Sequence, residues 1–266
     1  MKFIHFGLLA TISTGLILSA SSIFAQRLAG ERSLSTTKYG YTIVRNITRA
    51  GKHAQRFEVR AGDCGKNSGW SDCDSDRERS EISIGNRWHY GENKWIGFSI
   101  YLPADFTTST KVKTTVGQIH TKGGPAGKAG GYRSLPPLMQ MEMKRNAYRL
   151  CVHILSGPSS NVNDKCRYFH LAKISQMRGR WTDIRIHFDT SKGKELLEVF
   201  LDGRKVATIS GWITFRPKEY YFKYGIYRSF VSRNRGPMPT QILYIDEVRM
   251  GNSAAKVRIN EAQPVD

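Results

Sequence analysis

Apolar and polar residues alternate at period two through much of the chain, the pattern of strands with one face buried. The stretch 181–188 shows it most cleanly, with Ile184, Ile186 and Phe188 on one face. Comparable runs, alternating or rich in β-formers, predict strands over 39–48, 55–60, 81–84, 95–102, 114–120, 138–144, 149–154, 196–201, 204–209, 220–229 and 241–249. Asp202-Gly203 reads as a hairpin turn between two of them. No long helix pattern, internal repeat or low-complexity tract interrupts the series. Many short strands with turn signals between them predict an all-β fold, a two-sheet antiparallel jelly-roll sandwich. No linker divides residues 39–266, which are expected to form one domain.

The first residues differ in kind. Lys2 precedes an apolar run from Phe6 to Leu18, and Ala25 offers a cleavage point, so residues 1–25 read as a secretory signal peptide. No comparable apolar run recurs, so no membrane span is expected and the remaining chain should be exported, periplasmic or secreted. Residues 26–38 are largely polar and read as a flexible leader. The net charge is +19, or +18 once Lys2 leaves with the signal. So large an excess repels itself and points to an anionic polymer as partner. Nucleic acid and acidic polysaccharide are both such polymers, but the basic residues are scattered, with no helix carrying a basic stripe, so the charge does not single out a nucleic-acid module and an acidic polysaccharide is the expected partner. A monomer is expected.

Four cysteines follow the signal, and in an oxidising compartment two local disulfides, Cys64–Cys73 and Cys151–Cys166, are favoured. Neither pair has the spacing of a zinc knuckle, and no metal site is assigned. Asp63, Asp72, Asp74 and Asp76 could offer oxygens to a structural calcium, but they match no defined calcium loop. A solvated disulfide loop is the preferred reading.

Candidate chemistry falls on three segments. Read as a strand, 220–228 puts Tyr221, Lys223, Gly225 and Tyr227 on one face and Phe222, Tyr224, Ile226 and Arg228 on the other. The first face presents two phenols and an ammonium around a glycine that leaves room for a ligand along the backbone. Gln118 and His120 share a face while Ile119 points to the core. Arg79 and Glu81 also share a face, with a third charge from Arg77. Arg79 suits a fork for a carboxylate, and Glu81 suits holding a neighbouring basic side chain. Taken singly, each segment reads equally as ordinary surface, or as a salt-bridged edge strand.

In this order, Arg79-Ser80-Glu81, Gln118-Ile119-His120 and Tyr221-Phe222-Lys223-Tyr224-Gly225-Ile226-Tyr227 resemble the three signature strands of jelly-roll polysaccharide lyases, closest to the alginate lyases of family seven. Gly225-Ile226-Tyr227-Arg228, followed by Ile245-Asp246-Glu247-Val248-Arg249-Met250-Gly251, is more similar to the heparin lyase I and glucuronan lyase group. The resemblance runs over about 39–251 and implies a concanavalin-like sandwich. It also implies β-elimination on a uronate polymer, with no cofactor required. By that resemblance Arg79 and Gln118 bind and neutralise the uronate carboxylate, His120 is a neutraliser and candidate base, and Tyr227 is the catalytic acid and base. By the same resemblance Tyr221 and Lys223 become substrate-binding neighbours, and Glu81, Lys122 and Arg228 are counted with them as candidate substrate-binding residues. Arg228 replaces the Asn-Gln continuation of the alginate lyases, which leaves open whether the uronate is glucuronate or mannuronate.

Two rival readings stand beside this one. A glycoside hydrolase needs two facing carboxyl groups, and Glu195 with Glu198, or Asp246 with Glu247, do not share a strand face. Glu142 lies on an alternating strand without an evident same-face partner. A non-catalytic binding module for acidic polysaccharide would need only exposed aromatic and basic residues. The glycine-rich stretch 123–131, with Lys122, Lys128 and Arg133 in or beside it, is a candidate lid. Trp95, Trp181 and Phe188 read as core, and His53, His89, His153, His170 and His187 carry no motif.

Overall fold

Among the described residues fourteen strands form, nearly all where apolar residues recur at every second position. They are β1 (Gly30–Arg32), β2 (Tyr41–Val44), β3 (Ala54–Val59), β4 (Arg77–Trp88), β5 (Asn93–Tyr101), β6 (Lys113–Lys122) and β7 (Met139–Lys144). There follow β8 (Ala147–Ser156), β9 (Asn163–Lys173), β10 (Trp181–Asp189), β11 (Leu196–Leu201), β12 (Arg204–Ser210), β13 (Glu219–Ser229) and β14 (Gln241–Gly251). The computed structural model describes residues 28, 30–34, 37–122, 136–157, 161, 163–191, 195–211 and 217–266. The expected signal peptide and the candidate lid at 123–131, with Lys128 and Arg133, lie outside the described residues.

The strands make two antiparallel sheets of seven, in the order β1-β4-β13-β6-β7-β8-β9 and β12-β11-β10-β5-β14-β3-β2. This is the expected two-sheet jelly-roll sandwich. Its core is the apolar face of each sheet: Phe57, Phe98, Ile184, Ile186 and Phe188 from one, Ile84, Trp88, Ile119, Phe222 and Ile226 from the other. The Phe98 and Phe222 rings meet across the interface at 5.5 Å, and Trp88 meets Phe188 at 6.1 Å. The hairpin joining β11 to β12 turns at Asp202 (φ 48°) and Gly203 (φ 80°), both left-handed. Among the described residues no helix is long and apolar enough to cross a membrane.

Several expectations change. The leader is not wholly free: β1 pairs with β4, setting Gly30 opposite Ile84 and Arg32 opposite Ile82. Strand β9 was not legible, because it is an edge strand exposed along most of its length and so carries no alternation. Trp95 and Trp181 are not core. Ile96, Phe98 and Ile100 of β5 and Ile184, Ile186 and Phe188 of β10 point inward, so the two tryptophans point out by parity. Cys64 is joined to Cys73 and Cys151 to Cys166, with Cα atoms 5.1 and 5.2 Å apart. The second bridge ties β8 to β9.

Candidate active site

Strand β13 lies between β4 and β6, and its register gathers the three segments. Tyr227 stands opposite Arg79, Lys223 opposite Gln118, and Tyr221 opposite His120. Alternation then puts all six side chains, with Glu81, on the outer face of this sheet. A cavity of about 590 Å³ lies over that face. Its lining starts at Ser33, Leu34 and Trp70 beside the β1–β4 edge and passes Arg77, Arg79, Tyr227, Lys223, Gln118 and His120. It ends at Lys113, Gln140, His153 and Asp164. The lining crosses the strands from one sheet edge to the other, a groove shaped for an extended chain.

Gly225 does not serve as a floor for a ligand. It holds φ 128°, and a Cβ there would fall 2.4 Å from the Ser80 carbonyl oxygen and 2.9 Å from Phe57. The space is filled by the protein itself. The pairing of β13 with β6 slips between Tyr224 and Tyr227, and the bulge at this glycine aims Tyr227 at the groove.

Four buried charges hold the centre. Glu81 is 2% exposed and receives the Lys223 ammonium at 2.5 Å and Arg79 Nη1 at 3.3 Å. Its other oxygen accepts a hydrogen bond from the Gln118 amide. The Arg79 fork is closed by a carboxylate of the chain itself: Nε and Nη2 donate to Asp72 at 2.5 and 2.6 Å, and Asp72 is fully buried. Two cations and two anions cancel, so the cluster is a neutral frame. Burial alone would raise the Glu81 carboxyl, but Lys223 and Arg79 override it and hold Glu81 below its ordinary range. Burial pulls the Lys223 ammonium down, and Glu81 pulls it back.

Tyr227 is fixed by two arginines. Its Oη accepts a hydrogen bond from Arg77 Nε at 3.0 Å, and the Arg79 guanidinium lies 4.4 Å over its ring. Arg77 in turn stacks on Phe230 at 3.9 Å. Phe230 and Asp76 both hold left-handed backbone, φ 60° each, and the Phe230 N–H donates to the Asp76 carbonyl at 2.9 Å. That crossing sets the end of the groove against which Arg77 rests. His120 stacks on Tyr221 at 5.2 Å, and its Nδ1 lies 2.8 Å from the Thr121 backbone nitrogen and 3.1 Å from the Thr121 carbonyl oxygen. Burial, then the Lys223 charge, pushes His120 down to about 4, so the ring is uncharged at neutral pH.

Beyond Gln118 a second network continues the groove. Gln140 donates to Gln118 Oε1 at 3.3 Å and accepts from Lys113 at 2.8 Å. His153 bridges Gln140 Oε1 at 3.1 Å and Asp164 at 2.9 Å. The buried Glu142 carboxylate is held by Lys113 at 2.5 Å and Arg149 at 2.9 Å.

The expected binding set therefore divides. Arg228 is not a substrate contact: it faces the core and is fully buried. Its guanidinium donates to the carbonyls of Pro239 and Arg60 and pairs with Glu78 at 2.8 Å. The face shared with Phe222, Tyr224 and Ile226 required that direction. Glu81 frames other side chains and has no free oxygen for a sugar. Tyr221 is half-buried between His120 and Arg87, whose guanidinium lies 4.6 Å over its ring. Lys122 is exposed at the end of β6, opposite Glu219, and does not line the cavity.

Three of the four aspartates raised as calcium ligands serve separate partners. Asp63 accepts from Tyr39 and the Arg60 N–H, Asp72 holds Arg79, and Asp76 accepts from Ser232. The described group Cys151, His153 and Cys166 is a disulfide beside a histidine. Its sulfurs are bonded to each other. Asp72, Gln140 and His153 are the neighbours in this candidate site that sequence reasoning missed, and Arg77 entered it only as a third charge beside Arg79. Parity with Arg79 was the available signal for Arg77, and parity with Glu142 for Gln140. Nothing in the spacing ties Asp72 to Arg79.

Known proteins resemble the chain at two levels. The family profile described as polysaccharide lyase matches residues 22–249. Among solved structures, an endo-β-1,4-glucuronan lyase from the fungus Trichoderma reesei superposes with a TM-score of 0.64 at 17% identity, covering 85% of this chain and 92% of its own. An alginate lyase from Corynebacterium sp. follows at 0.54 and 13% identity, covering 81% and 82%. A marine alginate lyase from Zobellia galactanivorans gives 0.51 and 13%, covering 81% of each chain. At these identities the likeness is one of fold. A search of curated proteins finds no match.

Proposed function

Since the chain belongs to the polysaccharide lyase family and so acts on an acidic polysaccharide by β-elimination, we propose that its substrate is a 4-linked uronate polymer of the glucuronate type. The observation that carries the mechanism is the Tyr227 hydroxyl, held by Arg77 and Arg79 in a groove whose remaining donors face it.

β-Elimination removes the C5 proton of a uronate and expels the oxygen at C4. The C5 proton leaves only if the charge spreading onto the carboxylate is stabilised, and preorganised donors do this best. Gln118 has a second amide hydrogen and Lys223 the ammonium hydrogens that Glu81 does not take, and in this reading His120 carries its proton on Nε2 and adds a third donor. Arg79 acts here through Tyr227 and the frame, since Asp72 occupies its fork. The Tyr227 oxygen takes the C5 proton. The C5–H electron pair forms the C4–C5 double bond, the C4–O bond breaks, and the same phenol returns the proton to the departing oxygen. One phenol can serve both steps only where proton and oxygen lie on the same side of the ring, as in glucuronate and mannuronate. On this path His120 binds the carboxylate and takes no proton from C5.

The preference for glucuronate rests on the Gly225-Ile226-Tyr227-Arg228 ending and on the glucuronan lyase, which superposes better than the alginate lyases. Mannuronate-rich alginate is the second reading, carried by the Gln118-Ile119-His120 strand. Residues 1–25 are taken as the signal that exports the enzyme to such polymers.

The test is incubation with glucuronan, heparosan, heparin, hyaluronan and alginate, reading ultraviolet absorbance of the unsaturated product. Glucuronan should give the largest signal, and Tyr227→Phe should abolish it while leaving binding nearly intact. New reducing ends without absorbance would indicate hydrolysis. Substantial turnover by Tyr227→Phe would overturn the assignment of the base.

A further inference from the structure

Trp70 is half-exposed, at 50%, on the wall of the catalytic groove. Indole is among the largest apolar surfaces a side chain offers, and leaving it in water is unfavourable unless something covers it. Everything around it works to hold it there. The Cys64–Cys73 bridge closes its loop, and Lys66 pairs with Ser71 inside that loop. Asn67 Oδ1 accepts the N–H groups of Gly69 and Trp70, both at 2.9 Å, and the Asn67 N–H donates to the Trp70 carbonyl at 2.9 Å. Trp70 Nε1 donates to Asp72 at 3.1 Å, the same carboxylate that receives Arg79. The ring is thus tied through one carboxylate to the arginine that lies over Tyr227. Gly69 leaves the adjacent space open: a Cβ there would meet nothing nearer than Asn67 at 3.7 Å.

We propose that Trp70 is a stacking platform for a sugar ring of the bound polysaccharide, the ring next to the one being cut on the β1–β4 side of the groove. A pyranose presents a flat array of C–H groups that an indole face accepts, while its hydroxyls and carboxylate stay toward Arg77 and solvent. The neutral Asp72–Arg79–Glu81–Lys223 frame adds little net charge at this point, so apolar contact is what remains to seat the neighbouring unit. Trp70 is a binding residue and takes no part in proton transfer. The disulfide acts as its mount, because it fixes the loop that aims the ring. This inference rests on the lyase reading for the identity of the ligand.

The experiment pairs steady-state kinetics on 4-linked glucuronate oligosaccharides of increasing length with tryptophan fluorescence. Trp70→Ala is expected to raise KM roughly tenfold on long oligosaccharides, the loss of one ring-stacking contact. Its kcat should change far less, and KM on the shortest cleavable oligosaccharide should stay as it was. Trp70→Phe keeps a ring but loses the Nε1–H, and should recover most of the affinity. Binding of glucuronan oligosaccharide to Tyr227→Phe should change tryptophan emission, and adding Trp70→Phe should remove that change. A Trp70→Phe variant as impaired as Trp70→Ala would overturn the platform and make the Asp72 hydrogen bond the point of the residue. Unchanged KM at every length would overturn it too. Should the unmutated protein yield no unsaturated product from any polymer, the lyase reading fails, yet the fluorescence response to glucuronan and alginate oligosaccharides still decides the stacking. No response to either, with Trp70 present, refutes it.

Discussion

Glu81→Gln isolates the frame beneath the catalytic face. The substitution keeps the shape and removes one charge from a quartet that otherwise sums to zero. Arg79 keeps Asp72 on two of its nitrogens, but the Lys223 ammonium loses its only described carboxylate partner, and Lys223 is 5% exposed. Removing one partner of a buried pair costs about 3–5 kcal/mol, because the other charge is left without compensation. In a domain of this size each kcal/mol lowers Tm by about 2–4 °C, so the variant should melt on the order of 6–20 °C below the parent. Gln118 also loses its charged acceptor, and kcat/KM should fall more steeply than stability alone explains. The assay is a double-mutant cycle in thermal unfolding with Glu81→Gln, Lys223→Met and both together. Lys223→Met alone strands the carboxylate and should be comparably costly, whereas the double variant should regain much of the loss, as both buried charges are gone. A Tm within about 2 °C of the parent for Glu81→Gln, or a double variant equal to the sum of the singles, would refute the frame as a coupled unit.

Arg77→Gln removes the N–H that Tyr227 Oη accepts. Turnover should drop roughly 10²-fold, in line with loss of one donor on the reacting oxygen, with KM little changed. An Arg77→Gln enzyme with the parent's kcat would show that the contact is not used. His120, pushed down to about 4 by burial, stays neutral in the folded protein while an unfolded histidine takes a proton near 6.5. The sign follows: between those values the unfolded chain binds the extra proton, so stability falls as pH drops through the window and is unaffected above it. Tm measured from pH 8 to 4 should show that decline, flattened in His120→Gln. A loss of activity near pH 6.5 that vanished in His120→Gln would contradict the neutral assignment.

The faces of the strands were legible because side chains alternate without exception along a regular strand. The same rule that put Tyr221, Lys223 and Tyr227 outward also placed Arg228 inward, and there the rule outranked the family ending that had made Arg228 a ligand. A buried arginine is tolerated because Glu78 and two backbone carbonyls meet it, and none of those three is near it in the chain. Trp95 and Trp181 fell to the opposite error: their hydrophobicity suggested core, while their parity with outward neighbours said otherwise. Strand β9 left no signal because an edge strand exposed along most of its length has no apolar face to display. What no pattern reveals is which charges cancel. The sequence offers +18 beyond the signal, and an arginine at position 79 looks free to grip a substrate carboxylate. In the fold, Asp72 arrives from a disulfide-closed loop, takes that fork, and leaves the guanidinium lying over the Tyr227 ring. The attraction for an anionic chain is then left to cations away from the centre. Raised salt should therefore weaken substrate capture more than it slows the elimination step, since the quartet is shielded from ions by burial and the outlying cations are not.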